Sequence, residues 1–240
     1  MTIRRRFLVA PCAVLFMAMN LFAMSYVQSN SLDCGTVTSC SLAFASNNSA
    51  GDFIVVAVRV GALGRTVTVT DSENNTYTQR ITQAQTTDGH QAYVIDALKI
   101  ASGANTVTVS ISGSAAILRF AIHEYRTLAP SAVFDQANSS SSNAVTSTAL
   151  NSGNVTTTYP NELIFGVGTT ANPNTFTAGT NYTVRQHFGA GGDKAATEDQ
   201  IVVSSQGTYN ATETSGTADL WTCVIVTYSD PLDFFKRRLD

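Results

Sequence analysis

The chain has 240 residues, of which 44% are hydrophobic but only 13% are charged, whereas soluble domains average roughly 25% charged residues. Its polar residues are mainly Thr, Ser and Asn, and its formal net charge is −3. Only one long apolar run is present, and Val, Ile, Leu, Phe and Tyr recur through the rest. The composition argues against a polytopic membrane protein, a disordered chain and a cytosolic helical enzyme, and it is typical of extracellular all-β proteins.

The first 25 residues have the order of a secretory signal peptide. Three arginines at positions 4–6 precede an apolar run from Phe7 to Met24, and small residues lie at Ala23 and Ser25. We predict cleavage after Ser25, so that the mature chain begins at Tyr26 and is secreted or displayed at the cell surface. The alternative is an uncleaved anchor, because about 18 apolar residues are the lower limit for crossing a bilayer.

Removing residues 1–25 shifts the formal net charge to −6, because this segment carries three arginines and no acid. The remaining basic residues are scattered, apart from a short run at positions 236–238. A nucleic-acid partner would need a basic stripe, so we expect none. No membrane contact is expected after cleavage. Residues 230–240 are interpreted as a short C-terminal tail.

Three cysteines remain after cleavage. Cys34 and Cys40 flank a turn-like segment and are predicted to form a disulfide in an oxidising compartment. Cys223 then lies alone in an apolar strand as a small buried side chain. The alternative pairs Cys223 with Cys34 or Cys40, which would require the first and last strands to be neighbours. Zinc-ligand spacing is absent from the sequence.

Almost the whole mature chain has the period of β-strands, and Gly, Asn, Asp and Pro fall between the predicted segments. The valines of residues 66–70 and 106–111 alternate with hydroxyl residues, whereas Phe53–Val58 and Leu163–Phe165 are apolar on both faces. The predicted strands are 39–46, 52–60, 66–70, 91–100, 105–111, 115–125, 144–149, 154–158, 162–168, 182–187, 198–204, 207–212 and 220–228.

This spacing predicts an all-β fold, a two-sheet antiparallel β-sandwich of jelly-roll type. We assign residues 26–229 to a single domain, because each half alone would hold only five to seven of the predicted strands. The Ser-rich stretch 138–143 is interpreted as a surface crossover between sheets. No internal repeat is evident in the sequence.

Three groups of segments share a recognisable pattern: residues 44–56, 67–77 with 103–109, and the later motifs Ile122–Tyr125, 156–166, 198–200 and 207–212. Together they resemble a β-sandwich module of secreted and surface proteins of environmental bacteria. The resemblance covers roughly residues 26–228. It implies a β-sandwich fold and a surface location, and it implies no activity, cofactor or catalytic residue.

The best candidates for acid–base chemistry are Glu124, Glu162, Glu198 and Asp199, since a glycosidase needs two carboxyls across a cleft. Strand alternation places Glu124 on an apolar face, which favours a structural role in which hydrogen bonds hold the carboxylate at a strand end. His123, on the opposite face, is interpreted as an outward polar residue. Nucleophile-elbow, phosphate-loop and zinc-protease motifs are missing from the sequence.

Two further features are weaker candidates for ligand binding. The loop Asp71–Asn75 supplies oxygen ligands suited to Ca²⁺, although an Asx-rich turn explains it equally well. Five aromatic side chains lie near predicted turns and are candidates for stacking on sugar rings: Tyr77, Tyr93, Tyr182, Phe188 and Tyr209. In strands, such residues usually belong to the core.

We therefore expect a secreted, non-catalytic binding module that recognises a glycan or another surface polymer, as in adhesion. No catalytic residue, resident cofactor or metal is assigned. The alternatives are a self-assembling structural subunit of a surface layer or filament, marked by a free edge strand and an apolar patch, and a glycan-active hydrolase.

Overall fold

The computed structural model describes residues 24–127, 131–203 and 205–230. In these ranges the chain forms β-strands joined by turns, and no helix among them is long and apolar enough to cross a membrane. The strands are β1 (Met24–Val37), β2 (Ser39–Ala43), β3 (Phe53–Val60), β4 (Val67–Asp71), β5 (Thr78–Gln85), β6 (His90–Ala97), β7 (Thr106–Ile111), β8 (Ala116–Thr127), β9 (Val133–Ser141), β10 (Ser147–Ala149), β11 (Val155–Thr156), β12 (Glu162–Asn174), β13 (Phe176–Thr177), β14 (Thr183–Phe188), β15 (Asp193–Val202), β16 (Thr208–Tyr209), β17 (Thr214–Asp219) and β18 (Trp221–Ser229).

The strands pair into antiparallel sheets stacked in four layers. The first outer sheet has the order β2-β7-β4, and the first inner sheet has the order β1-β8-β3-β6-β5. The second inner sheet has the order β14-β15-β12-β18-β9. The second outer layer consists of the sheet β10-β17-β13 and the two-stranded ladder β11-β16. The predicted all-β antiparallel sandwich is confirmed, and the jelly-roll topology stays a prediction.

Three hydrophobic cores separate the four layers. Ile54, Val56 and Val58 of β3 face the first core, under the first outer sheet. Phe53 and Val55 of the same strand face the central core between the two inner sheets. The third core lies between the second inner sheet and the second outer layer. The strand β3 is apolar on both faces because both faces are covered, as its sequence predicts.

The two halves of the chain repeat one topology. Reading the second inner sheet as β9-β18-β12-β15-β14 reproduces the order β1-β8-β3-β6-β5, and β10-β17-β13 reproduces β2-β7-β4. The ladder β11-β16 has as its counterpart the single bridge between Asn48 and Gly103. The repeat is not evident in the sequence, because it lies in the order and pairing of the strands.

The Ser-rich stretch 138–143 is not a crossover, and this interpretation was wrong. Residues 138–141 belong to β9 and pair with Ile225, Val224, Cys223 and Thr222 of β18. The backbone of this edge strand forms hydrogen bonds with its buried neighbour β18. Its polar side chains do not indicate this pairing in the sequence. The strands β1 and β5, also missed in the sequence, are likewise polar edge strands.

The predicted disulfide between Cys34 and Cys40 is present, with the two Cα atoms 6.1 Å apart. It links the end of β1 to β2 and packs against the first core. Cys223 is a buried free thiol in the third core, which agrees with the favoured interpretation of its role.

Most of the predicted signal peptide, and the tail after residue 230, lie outside the described residues. The predicted cleavage boundary itself lies inside β1, where Met24 pairs with Thr127 and Ser25 with Arg126. The Met24 side chain is buried in the central core. Cleavage after Ser25 would therefore remove two paired residues of this strand.

Candidate functional site

A pocket of about 350 Å³ opens on the second half of the molecule, beside the start of β14. Its lining combines tyrosines with amide and hydroxyl side chains and includes no charged residue: Thr180, Asn181, Tyr182, Gln200, Thr208, Tyr209, Asn210 and Thr212. Flat aromatic rings beside many neutral donors and acceptors suit a polar, uncharged ligand.

Two segments of the chain build the walls of this pocket. The turn before β14 is closed by a 3.0 Å hydrogen bond from the Tyr182 amide to the Gly179 carbonyl. Asn181 lies in this turn with a φ of 70°, a conformation that Asn tolerates better than most residues. The Tyr182 hydroxyl donates to the Asn210 carbonyl at 3.0 Å, so one pocket residue ties the two walls together.

Glu198 lies beneath the pocket and joins the same two walls. Its carboxyl oxygens accept hydrogen bonds from the Gly179 amide at 2.7 Å and from the Thr212 amide at 2.9 Å. The side chain is fully buried. Burial raises the pKa of Glu198 to about 7, although the two amide hydrogen bonds oppose this effect. Glu198 thus holds the pocket walls without reaching the pocket surface.

A second buried carboxyl, Glu213, lies beside Glu198 and was not singled out in the sequence. The site for a Cβ on Gly168 lies next to Glu213 Oε2, so the carboxyl occupies the space that a side chain would fill. Burial, followed by the charge of Glu198, raises the pKa of Glu213 well above its usual range. The signal available in the sequence was Gly166 and Gly168, which interrupt one face of an otherwise bulky strand.

The predicted carboxylates lie in different parts of the protein interior. Glu124 is buried and accepts hydrogen bonds from the Ser49 amide at 2.9 Å and from Gln28 Nε2 at 2.6 Å, which is the structural role that its position favoured. Glu198 and Asp199 face opposite sides of their strand, towards the third and the central core respectively.

Glu162 is also enclosed by protein. Burial, followed by the nearby Asp135, raises the pKa of Glu162 to about 9. Neither this carboxyl nor the others considered line the two pockets described here.

His123 is buried, and its interpretation as an outward polar residue was wrong. Its Nε2 lies 2.9 Å from Thr197 Oγ1 of the second inner sheet, and Phe165 contacts its ring edge-on. The outward face of the first inner sheet is covered by the second half of the chain, so His123 lies in an interior. Burial lowers the pKa of His123 to about 3.

A buried chain of hydrogen bonds resembles a catalytic relay in geometry. His90 Nδ1 lies 2.7 Å from Asp88 Oδ2, and His90 Nε2 lies 2.7 Å from Thr169 Oγ1. Thr169 is fully buried and lies 2.6 Å from Thr222 Oγ1. Neither described pocket is lined by this hydroxyl, and the chain of hydrogen bonds links the two inner sheets.

The loop Asp71–Asn75 is closed on itself. Asp71 accepts hydrogen bonds from the Asn75 amide, Asn75 Nδ2, the Tyr77 hydroxyl and Asn105 Nδ2 at 2.7–2.9 Å. These donors engage the oxygens that a cation would need, and the geometry matches an Asx turn. Within the described ranges, no cluster of three or more His, Cys, Asp or Glu is arranged to hold a metal ion.

Of the five predicted sugar-stacking aromatics, the structure brings together Tyr182 and Tyr209. The other three serve the fold: Tyr77 donates to Asp71, Tyr93 donates to the Arg65 carbonyl, and Phe188 is buried in the central core.

A second pocket, of about 400 Å³, lies at the far end of the β13-β17 ladder. It is shallow and lined by small and amide residues: Pro173, Asn174, Thr175, Gly192, Gly216 and Thr217. It has no aromatic residue, and the tyrosine-lined pocket is the better candidate site.

Comparison with known proteins identifies no relative of this chain. No family model matches the chain, and searches of the curated proteins and of the solved structures also find no match.

Proposed function

We propose that the protein is a secreted, non-catalytic module that binds a neutral glycan in the pocket of Tyr182 and Tyr209. The observation that carries this proposal is the lining of that pocket: two tyrosines with three amide and three threonine side chains, and no charge. Sugar rings present apolar faces to aromatic rings and hydroxyl groups to amides. A preformed pocket limits the entropy lost on binding.

The placement of carboxyl groups favours binding over hydrolysis. A glycosidase holds two carboxyls at the edges of its cleft, where they reach the scissile bond. Here Glu124, Glu162, Glu198 and Asp199 are all buried and engaged with protein groups or enclosed by them. The tyrosine-lined pocket therefore has residues for recognition and no acid–base pair at its surface.

The edges of the inner sheets give little support to assembly by strand addition. The edge strands β1 and β14 are joined by hydrogen bonds of Gln186 with Ser29 and Ser31 at 2.7–2.9 Å. On the opposite side, Ser139 of β9 donates to Gln83 of β5 at 2.8 Å. Each edge is thus partly covered by the other half, which limits pairing with a second chain.

Secretion is supported by the amino-terminal pattern and by the disulfide, a bond typical of oxidising compartments. The test is the amino terminus of the exported protein. A terminus at Tyr26 supports the predicted cut, whereas retention of Met24 moves the cut upstream of β1. A protein kept in the cytoplasm with reduced cysteines contradicts the proposed location.

The binding proposal is tested with a glycan array, followed by calorimetric titration of the best ligand. We expect Tyr209→Ala to weaken binding about tenfold, or about 1.4 kcal/mol, through loss of ring stacking. Gln200→Ala is expected to weaken it through loss of an amide contact. Tyr159→Ala is the matched control, because this half-buried tyrosine lies outside both described pockets. No bound glycan, or equal losses in Tyr209→Ala and Tyr159→Ala, contradicts the proposal.

A further inference from the structure

Two buried arginines lie side by side at one end of the central core. Arg59 of β3 and Arg119 of β8 are paired in register. Only 3% of Arg59 and 5% of Arg119 is exposed to solvent. Like charges directly opposite each other on neighbouring strands are destabilising. Nearby negative charges would therefore stabilise this arginine pair.

Arg59 has no carboxylate partner within ion-pair distance among the residues that the structure describes. Its one hydrogen bond runs from Nη2 to the Thr170 carbonyl at 2.9 Å, and its buried Nε has no acceptor. Burial, followed by the charge of Arg119, lowers the pKa of Arg59 to about 10. A buried cation without a bonded anion is costly.

Arg119 is only partly neutralised. Its Nε donates to Asp33 Oδ2 at 2.5 Å, but its buried Nη1 has no acceptor. Asp33 also accepts hydrogen bonds from the Gly35 and Ala190 amides. Its carboxylate is therefore already shared among several donors.

The other acids that influence Arg59 are also engaged elsewhere. Asp88 binds His90 Nδ1 at 2.7 Å. Asp219 accepts hydrogen bonds from the Asn172 and Leu220 amides at 2.8 Å. They act on the guanidinium through space without bonding to it.

Lys194 adds a third positive charge at the rim of this cluster. Its Nζ donates to the Ala171 carbonyl at 2.8 Å, and the side chain remains half-buried. Burial, followed by the charges of Arg59 and Arg119, lowers the pKa of Lys194. Two guanidinium groups, each with a buried donor that has no acceptor, and the ammonium of a half-buried lysine are the kinds of group that bind tetrahedral oxyanions.

We propose that Arg59, Arg119 and Lys194 form a binding site for a small oxyanion, sulfate or phosphate, at the end of the central core. The anion accepts hydrogen bonds from the two guanidinium groups and forms an ion pair with the Lys194 ammonium. This site belongs to the contact between the two halves and is independent of the tyrosine-lined pocket. An occupied site would stabilise the folded protein by mass action.

The test is a calorimetric titration of the purified protein with sodium sulfate and sodium phosphate, with sodium chloride at equal ionic strength as the reference. Thermal unfolding is recorded over the same concentrations. We expect saturable binding of both oxyanions and a saturating rise in the unfolding temperature. A general salting effect of sulfate does not saturate at low concentration.

Lys194→Met is the decisive variant, because this rim residue is not needed to fill the core. We expect it to weaken sulfate binding about tenfold, the size of one charge-assisted contact. Lys99→Met removes the same charge from an exposed turn and is the matched control. Arg59→Met is expected to abolish saturable binding. Equal sulfate affinity in the wild type, Lys194→Met and Lys99→Met, or no saturable binding in the wild type, overturns the proposal.

Methyl sulfate distinguishes two sources of the anion. Binding close to that of inorganic sulfate indicates that the site accepts the sulfate group of a larger molecule. Saturable binding of inorganic sulfate alone indicates a site for the free ion. Both results support the site. They differ in whether the site leaves room for a substituent on one of the four sulfate oxygens.

Discussion

Tyr125 donates a hydrogen bond of 2.7 Å to Asp199, across the central core that joins the two halves of the chain. Arg185 Nε donates to the same carboxylate oxygen at 2.8 Å. The repeated half supplies the reciprocal arrangement, in which Tyr228 lies beside Asp96 and Arg80 Nε binds that carboxylate at 2.7 Å. In each half, therefore, a tyrosine lies beside an Asp–Arg pair of the other half.

The arginines of these two clusters also stack on equivalent aromatic rings. The Arg185 guanidinium lies 4.0 Å from the centre of the Tyr26 ring in β1. The Arg80 guanidinium lies 4.7 Å from the centre of the Phe134 ring in β9, the strand equivalent to β1. Tyr125 and Tyr228 occupy equivalent register positions opposite Phe53 and Leu163. The contact between the halves thus has approximate twofold symmetry.

We expect Tyr125→Phe to lower the free energy of unfolding by about 1–3 kcal/mol, because it removes one donor from the buried Asp199 carboxylate. Urea unfolding followed by fluorescence measures the change. Tyr26→Phe is the control, since the Tyr26 hydroxyl forms its hydrogen bond with Ser29 at the half-buried edge of the sheet. Equal stability of Tyr125→Phe and the wild type would show that the cross-core hydrogen bond contributes nothing.

The central strands of the fold were predictable, whereas the edge strands β1, β5 and β9 of the inner sheets were missed. The apolar run Phe53–Val58 and the Val–Thr alternation of β4 reflect burial on two faces and on one face. In contrast, β5 (Thr78–Gln85) and β9 lie at sheet edges and are mostly polar, although Ile81, Phe134 and Ala137 pack against the central core. No local period marks such strands.

Acidic side chains give a specific pH dependence of stability. The pKa of Glu162 is raised by burial to about 9, so at neutral pH the folded chain holds a proton that the unfolded chain has released. Stability from this group is therefore lost as pH rises from about 4.5 to about 9, by at most about 1.4 kcal/mol per pH unit. We expect Glu162→Gln to become progressively more stable than the wild type over that range, as measured by urea unfolding at several pH values. A constant difference between the two proteins contradicts the assignment.

Histidine burial acts in the opposite direction at low pH. The pKa of His123 is lowered by burial to about 3, so the unfolded chain binds a proton below its ordinary pKa that the folded chain excludes. Stability from this group is present above about pH 6.5 and is lost as pH falls towards 3. His123→Gln is expected to flatten the acid limb of the unfolding temperature profile. An unchanged acid limb would contradict this role.

Gly168→Ala is expected to lower the free energy of unfolding by about 1–3 kcal/mol, the usual cost of overpacking. The added Cβ would overlap the Glu213 carboxyl. The double variant Gly168→Ala/Glu213→Ala frees that space, so we expect the cost of the alanine to fall in this background. Chemical denaturation of the four proteins gives the coupling between the two sites. An additive result shows that Glu213 does not occupy the space above Gly168.

Reduction of the disulfide is expected to lower the free energy of unfolding by about 2 kcal/mol, the value for a short closed loop. The Cys34→Ser/Cys40→Ser variant should match the reduced wild type and show no further effect of reductant. Cys223→Ala is the control, because its thiol is free and its response to reductant should equal that of the wild type. Alkylation of the unreduced, denatured chain should modify Cys223 and leave Cys34 and Cys40 unmodified.

The candidate site was only half visible in the sequence. Tyr182 and Tyr209 stand out as aromatics near turns, but 26 residues separate them. The packing of the 179–182 turn beside the 208–212 segment brings them together. Arg59 gave no signal, because an arginine in an apolar run does not reveal that a second sheet covers it. Long-range contacts of this kind depend on the stacking of the two halves.

The order of strands along the chain has a consequence for the synthesis of this protein. The backbone partners of β1 to β8 all lie within residues 24–127, so the first pair of sheets can complete its hydrogen bonds while the second is still emerging. During that interval Phe53, Val55 and Tyr125 face solvent, because the sheet that covers them has yet to form. The nascent first half then exposes an apolar face, and the time until the second half folds against it sets the time available for aggregation.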